Sequence, residues 1–312
     1  MTSVRAFGIF VALAALSCAS PPPAEPPSTP EGRAVRYLAR EVPKWPANNK
    51  CFSCHNNGDA ARALYAARRS GIPFDPRALQ ATSRWLRSPD EWKLNGPVVE
   101  YSDKNLATLQ FAHALAAARQ AGEPRTDEPL RYAAERVREL QENDGSWAVD
   151  AGGLPGSPVT YGRTLATVVA RRILLDADRK KFAGAIGLAE QWLTGRKPVM
   201  ILEAAALLAD GWGDPDHALA LFQKGQTADG GWGPYLTSPP EVFDTSLVLL
   251  GLARYRDRPG AADMIRRGRE FLLAEQNPDG SWPETTRPPG AESYAQRIST
   301  TGWATLALLN SR

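Results

Sequence analysis

The sequence predicts an all-α fold, an α/α toroid in which helical hairpins form two concentric layers. Three observations predict it. A unit recurs: residues 141–147 read QENDGSW, 226–232 QTADGGW and 276–282 QNPDGSW, each leading through a polar loop into an apolar run. A repeat on this scale marks a fold built from stacked units. Next, two kinds of helix alternate. Stretches 106–118, 164–175, 244–252 and 301–309 are apolar nearly all round, while 128–141, 185–193, 216–226 and 261–276 carry a charged face. A helix apolar on every side must be packed on every side, whereas a charged stripe faces water. Lastly, with 312 residues, 43% of them hydrophobic and 23% charged, the chain is ordinary globular protein.

Residues 1–18 read as an export signal. Arg5 gives a positive start, and 6–16 is an apolar run too short to span a bilayer. The run ends at Ser17-Cys18, which resembles a bacterial lipoprotein signal. That resemblance implies lipidation of Cys18, a place in the periplasm or cell envelope, and membrane association through the lipid anchor only. The alternative is ordinary cleavage after Ala19 or Ser20. Residues 19–30 are Pro-rich and read as an extended linker.

Residues 31–90 form a helical segment around a cysteine motif. Val35, Leu38 and Val42 are in helical phase, and Pro43 and Pro46 are expected to stop that helix. Asp59 is expected to N-cap a helix reaching Ser70, ended by Gly71 and Pro73. A short helix over 76–87 precedes Trp92. Residues 91–312 form the toroid domain. In each repeat Asp-Gly supplies a tight turn, tryptophan a large apolar plate with one N–H, and glutamine an amide for orphan backbone groups at the helix end.

The glutamine-tryptophan pattern resembles the repeat of the terpenoid cyclases and protein prenyltransferases, which implies their toroid. Class II cyclases of this kind protonate an alkene with the middle aspartate of Asp-x-Asp-Asp-Thr-Ala. Such an acid must be held neutral by its surroundings. Laid on this chain, the motif falls on residues 241–246, where Asp244 and Thr245 fit its outer part. Phe243 stands in place of the proton donor and has no proton to give. The corresponding positions in other copies are Leu106, Gly162 and Ser299. The resemblance therefore implies a scaffold without that chemistry. The prenyltransferase zinc needs a cysteine, and none follows Cys54. Asp210, Asp214, Asp216 and His217 could gather a metal or serve as acid and base, but Asp214-Pro215 is ordinary helix-start punctuation.

Cys51-Phe-Ser-Cys54-His55 is Cys-x-x-Cys-His, the attachment sequence of c-type haem. Two thiols at this spacing can reach the two vinyl groups of one macrocycle, and the next histidine is carried beneath the iron as axial ligand. The expected cofactor is one covalent haem c on Cys51 and Cys54, with His55 as iron ligand. The sixth ligand is left open among Met200, Met264, His113 and His217. A dithiol, a zinc site and a plain disulfide are the competing readings of the cysteines.

The chain is thus expected to be an exported haem protein for electron transfer, or for redox or gas sensing, on a non-catalytic toroid. Two alternatives stand beside it: a cyclase-like enzyme acting on a lipophilic substrate, and a binding or assembly module with a structural disulfide. Expected partners are a redox protein or a lipophilic small molecule. A net charge of +3 with no basic block gives no warrant for nucleic-acid binding.

Overall fold

The computed structural model describes residues 27–95, 104–149, 155–287 and 293–312. Cys18, the signal and most of the linker lie outside these residues. Twelve α-helices are described: α1 Pro30–Asn49, α2 Ala61–Arg69, α3 Gln80–Leu86, α4 Lys104–Gln120, α5 Asp127–Glu139, α6 Gly162–Asp178, α7 Ala183–Thr194, α8 Ile201–Ala209, α9 Pro215–Gly225, α10 Val242–Leu252, α11 Ala261–Ala274 and α12 Tyr294–Asn310. The even-numbered helices form the inner layer. Each packs on the next, and α12 returns to α2 and to the turn before it, so the ring closes. The odd-numbered helices lie outside. No helix among the described residues is long and apolar enough to cross a membrane.

The repeat acts as a staple. Gln141, Gln226 and Gln276 each donate Nε2 to the carbonyl of the glycine four residues on and to a carbonyl near the start of a neighbouring outer helix. Those second acceptors are Ala185 (2.9 Å), Met264 (3.1 Å) and Pro30 (2.9 Å). The last of these joins α11 to α1 and closes the outer layer. Trp147, Trp232 and Trp282 are fully buried, with Nε1 donating to the carbonyl ten residues earlier on the preceding outer helix. Their backbone N–H groups donate to Thr167, Thr245 and Thr301 on the inner helices. Gly145, Gly230 and Gly280 have φ near +90°, and an added Cβ would strike the backbone of Leu188, Arg267 or Arg33 next door. Glycine is required there both for its backbone conformation and for the close approach.

Residues 31–90 are woven into the same ring. One apolar core runs from Ala34 and Val35 through Leu64 and Leu115 to Leu309. Helix α1 is outer, α2 inner and α3 outer, so the chain is organised across residues 90 and 91 without a break.

Two local expectations are corrected. Pro43 and Pro46 lie inside α1, which continues to Asn49. A proline inside a helix leaves the carbonyl four residues before it without its usual N–H partner. The Val42 carbonyl, orphaned by Pro46, instead receives Asn57 Nδ2 at 3.2 Å. Asp59 is not a helix cap. Helical structure already begins at Cys54 with a π-helical turn, Cys54–Ala60, capped by the Ser53 hydroxyl, and Asp59 points into the core.

Candidate functional site

The toroid centre is a cluster of polar and aromatic side chains. Asp59 is 1% exposed. Its Oδ2 accepts Gln110 Nε2 from α4 at 3.0 Å, and its Oδ1 accepts the Tyr161 hydroxyl from the start of α6. Arg62, one turn further along, brings Nη2 to 3.8 Å from Asp59 Oδ1. Burial pushes the Asp59 carboxyl up to about 6, against the opposing pull of Arg62, Tyr161, Ser299 and Trp303. The Arg62 guanidinium lies 4.1 Å from the Trp303 ring centre. Tyr161 and Phe243 meet the same ring edge-on, with centroids 5.6 Å and 5.5 Å away.

Arg62 also reaches His113 on α4, with Nη1 at 2.7 Å from Nδ1. Nε2 of the same ring lies 3.2 Å from that Nη1, and because arginine only donates, the ring nitrogen that pairs with it accepts. Burial holds His113 well below its ordinary pKa, and the charges of Arg62 and Arg172 lower it further. Beyond this pair lies a chamber of about 400 Å³ between the C-terminal halves of the inner helices. Its floor is Arg62, His113 and Trp303, and its walls include Leu165, Val169 and Leu250. A second cavity of about 400 Å³ lies at the opposite end, beside Tyr161, Thr164, Met200 and Glu203.

The cysteine motif sits at that opposite end. Cys51 and Cys54 are not joined in a disulfide, and both are partly exposed. Asn95 holds the turn by accepting the Phe52 N–H at 2.8 Å and donating to its carbonyl. The Phe52 ring stacks on Trp85 at 4.5 Å. His55 Nδ1 is 3.2 Å from Ser299 Oγ on α12, and both ring nitrogens lie within 3.9 Å of Cys54 Sγ. Desolvation pushes His55 down to about 4, so its imidazole is neutral at physiological pH. The Ser299 hydroxyl also supports the Asp59 charge. A polar chain thus runs from His55 through Ser299, Asp59 and Arg62 to His113, joining the motif to the chamber floor.

The other singled-out residues are engaged elsewhere. Asp244 is fully buried and ion-paired with Arg287, whose guanidinium also reaches Glu241 and the Gly156 carbonyl. Burial raises its carboxyl to about 7, and Oδ1 has no hydrogen-bond partner. The Asp210 to His217 group is dispersed: Asp210 pairs with Arg171 and Arg172, Asp214 caps α9, Asp216 pairs with Arg258, and His217 Nε2 meets the Pro198 carbonyl at 2.8 Å. Among the described residues no three His, Cys, Asp or Glu side chains gather as a metal cluster. Met264 is buried in outer helix α11, and Met200 lines the second cavity. Sequence reasoning missed Asp59, Arg62, Tyr161 and Trp303 as a unit. The one local signal was the pairing of Asp59 and Arg62 at i, i+3, which suits an ion pair on a helix.

Residues 200–312 match the family of the squalene-hopene cyclase C-terminal domain. Among solved structures, a point variant of the type II terpene cyclase MstE from Scytonema, in complex with geranylgeranyl dihydroxybenzoate, is 14% identical with a TM-score of 0.56 over 90% of this chain and 97% of that one. The fold is a terpene cyclase-like toroid. A protein from Actinoplanes is 18% identical with a TM-score of 0.54, covering 90% of this chain and 99% of its own. A glycosidase variant is 12% identical with a TM-score of 0.56, covering 90% and 97%. No curated protein matches the chain. One toroid thus serves a cyclase and a glycosidase, so chemistry must be argued from the site.

Proposed function

We propose that this protein is a cyclase-like toroid that takes a lipophilic small molecule into the chamber between its inner helices. The observation that carries this reading is the chamber itself: apolar side chains from α4, α6, α10 and α12 line it above Arg62, His113 and Trp303, and Arg69, Arg172, Asp176, Asp210 and Arg254 add charge to its lining. A largely apolar pocket of this size with a few convergent polar groups is the usual form of a small-molecule site.

Cation-forming cyclisation is not part of the proposal. Phe243 occupies the acid position, and the face of Trp303 that could stabilise a carbocation is covered by the positive Arg62. The buried acid Asp59 lies beneath the floor and is held by Tyr161 and Gln110. The proposed role is therefore to bind the molecule, or to transform it by chemistry other than alkene protonation. The test is saturable binding of a neutral lipophilic dye, Nile red, to the wild type and to Ala117→Trp, which fills the chamber from α4. One-to-one binding lost in the variant supports the reading. Absence of saturable binding, or equal binding by the variant, contradicts it.

A second reading rests on a separate observation. The donors at Cys51, Cys54 and His55 fit a covalent haem: the thiols are unbridged, and His55 is neutral. Donation of the Ser299 proton to Asp59 leaves Ser299 Oγ to accept Nδ1–H from His55, so that Nε2 keeps its lone pair. Cys51 and Cys54 would carry the porphyrin and His55 would hold the iron. The group supplies one-electron chemistry when bound. Ser299 and Asp59 would fix the imidazole tautomer and its orientation. Protein matured with the haem-attachment machinery should give a haemochrome spectrum and a mass shift on the peptide holding both cysteines. A colourless product would refute this second reading.

A further inference from the structure

We infer that Leu165 sets the length of the molecule the chamber takes, by walling the chamber off from the second cavity. The inference rests on the proposed chamber and adds a limit on the size of its occupant. The two cavities, each of about 400 Å³, follow one another along the inner helices. On α6, Gly162 and Thr164 line the second cavity, Val169 and Ile173 line the chamber, and Leu165 lines both. On α8, Ala206 belongs to the second cavity and Ala209 to the chamber. Three residues of α-helix rise only about 4.5 Å, so the wall between the cavities is about one side chain thick.

One part of that wall is tied by polar bonds. Tyr161 lines the second cavity and Trp303 the chamber, and their rings meet edge-on with centroids 5.6 Å apart. The Tyr161 hydroxyl and Arg62 both engage the buried Asp59, so removing either would strand its carboxyl. Leu165 differs. Its side chain is hydrocarbon, 4% exposed and part of the apolar core, so shortening it leaves no buried polar group unpaired. Beyond it the second cavity continues over Ala148, Leu202 and Ala206, a surface an alkyl chain can occupy. Glu203 on the same cavity is already paired with Arg196 at 2.6 Å and accepts the Thr164 hydroxyl, so its charge does not oppose such a guest. The wild-type wall thus stops a chain that would otherwise run from one cavity into the other.

The experiment measures displacement of Nile red from the full mature chain by straight-chain alcohols from octanol to hexadecanol. Affinity should rise about fourfold per methylene, the equivalent of ~0.8 kcal/mol for a buried CH₂, until the chain fills the chamber, and then level off. Leu165→Ala should carry the rise to longer chains, by more than the carbons the substitution removes. Adding Met200→Trp, which fills the second cavity, should take that gain away. Leu165→Val is a milder change that should move the limit in the same direction, and it keeps the test intact if Leu165→Ala does not fold. A wild-type affinity that rises through the whole series, or a limit that neither variant moves, overturns the role of Leu165 while leaving the chamber reading in place. So does a gain in Leu165→Ala no larger than the carbons removed, or one that survives Met200→Trp. Failure of every alcohol to displace the dye overturns the chamber reading along with it.

Discussion

The Arg62 guanidinium lies 4.1 Å from the ring centre of Trp303, at the point where the closed end of the chamber meets the buried polar core. This contact sets the character of the toroid. It places a positive charge where a cation-generating enzyme would need an open aromatic face. It also ties the chamber to Asp59, and through Ser299 to His55.

The pH dependence of Asp59 follows from its surroundings. Its carboxyl is raised from 3.8 to about 6, so the folded state holds the proton more tightly than the unfolded chain does. That contribution is fully present below about pH 4 and is lost as pH rises through about 6. Relative to Asp59→Asn, the wild type should be favoured at about pH 4 over about pH 8 by roughly 3 kcal/mol. Urea unfolding of both proteins at both pH values checks it. A stability difference independent of pH would show that Asp59 is not desolvated.

His55 has the opposite sign. Desolvation lowers it from 6.5 to about 4, so the unfolded chain binds the proton more readily. The stability it contributes is present above about pH 6.5 and is lost on acidification through about pH 4. In protein without haem, His55→Gln should be less sensitive than the wild type to acid over that interval, by up to about 3 kcal/mol. Parallel acid unfolding curves for the two would contradict the burial of this imidazole.

The contact between Asn57 and Val42 explains how α1 survives Pro46, and it predicts a coupling. Asn57→Ala removes the amide from the Val42 carbonyl and also frees Thr82 Oγ1, so it should cost about 2–3 kcal/mol. Pro46→Ala restores a backbone N–H four residues after Val42. In the double variant part of the loss, about 1 kcal/mol, should return. Strict additivity in that cycle would show that the carbonyl does not depend on Asn57.

Gln276 closes the outer layer by reaching the Pro30 carbonyl, and it also accepts Arg33 Nη2 at 2.5 Å. Gln276→Ala should lower stability by about 1–3 kcal/mol and loosen α1 first. Hydrogen exchange would show this as lost protection in Pro30–Asn49 ahead of α5 to α9. Uniform loss across all helices would argue against a local seam.

The parts legible in the sequence were those that repeat. Gln141, Gln226 and Gln276, with their Asp-Gly turns and tryptophans, predicted the toroid, and their contacts recur from copy to copy. Helix α8, Ile201–Ala209, was missed because the turn around Trp212 lacks the glutamine, leaving a short apolar run without punctuation. The stop at Pro43 and Pro46 failed because the partner of the freed carbonyl, Asn57, comes from another element. Asp59 looked like a cap because its neighbours are polar and small. Its partners Gln110 and Tyr161 are 51 and 102 residues away, and no local pattern carries that information.

The central claim is that the chamber above Arg62 and Trp303 receives a lipophilic molecule. Anomalous diffraction from crystals soaked with a bromine-tipped alkyl chain tests it most directly. A bromine peak among Leu165, Val169 and Leu250 is the predicted result, and a chamber holding only ordered water under the same soak would contradict it.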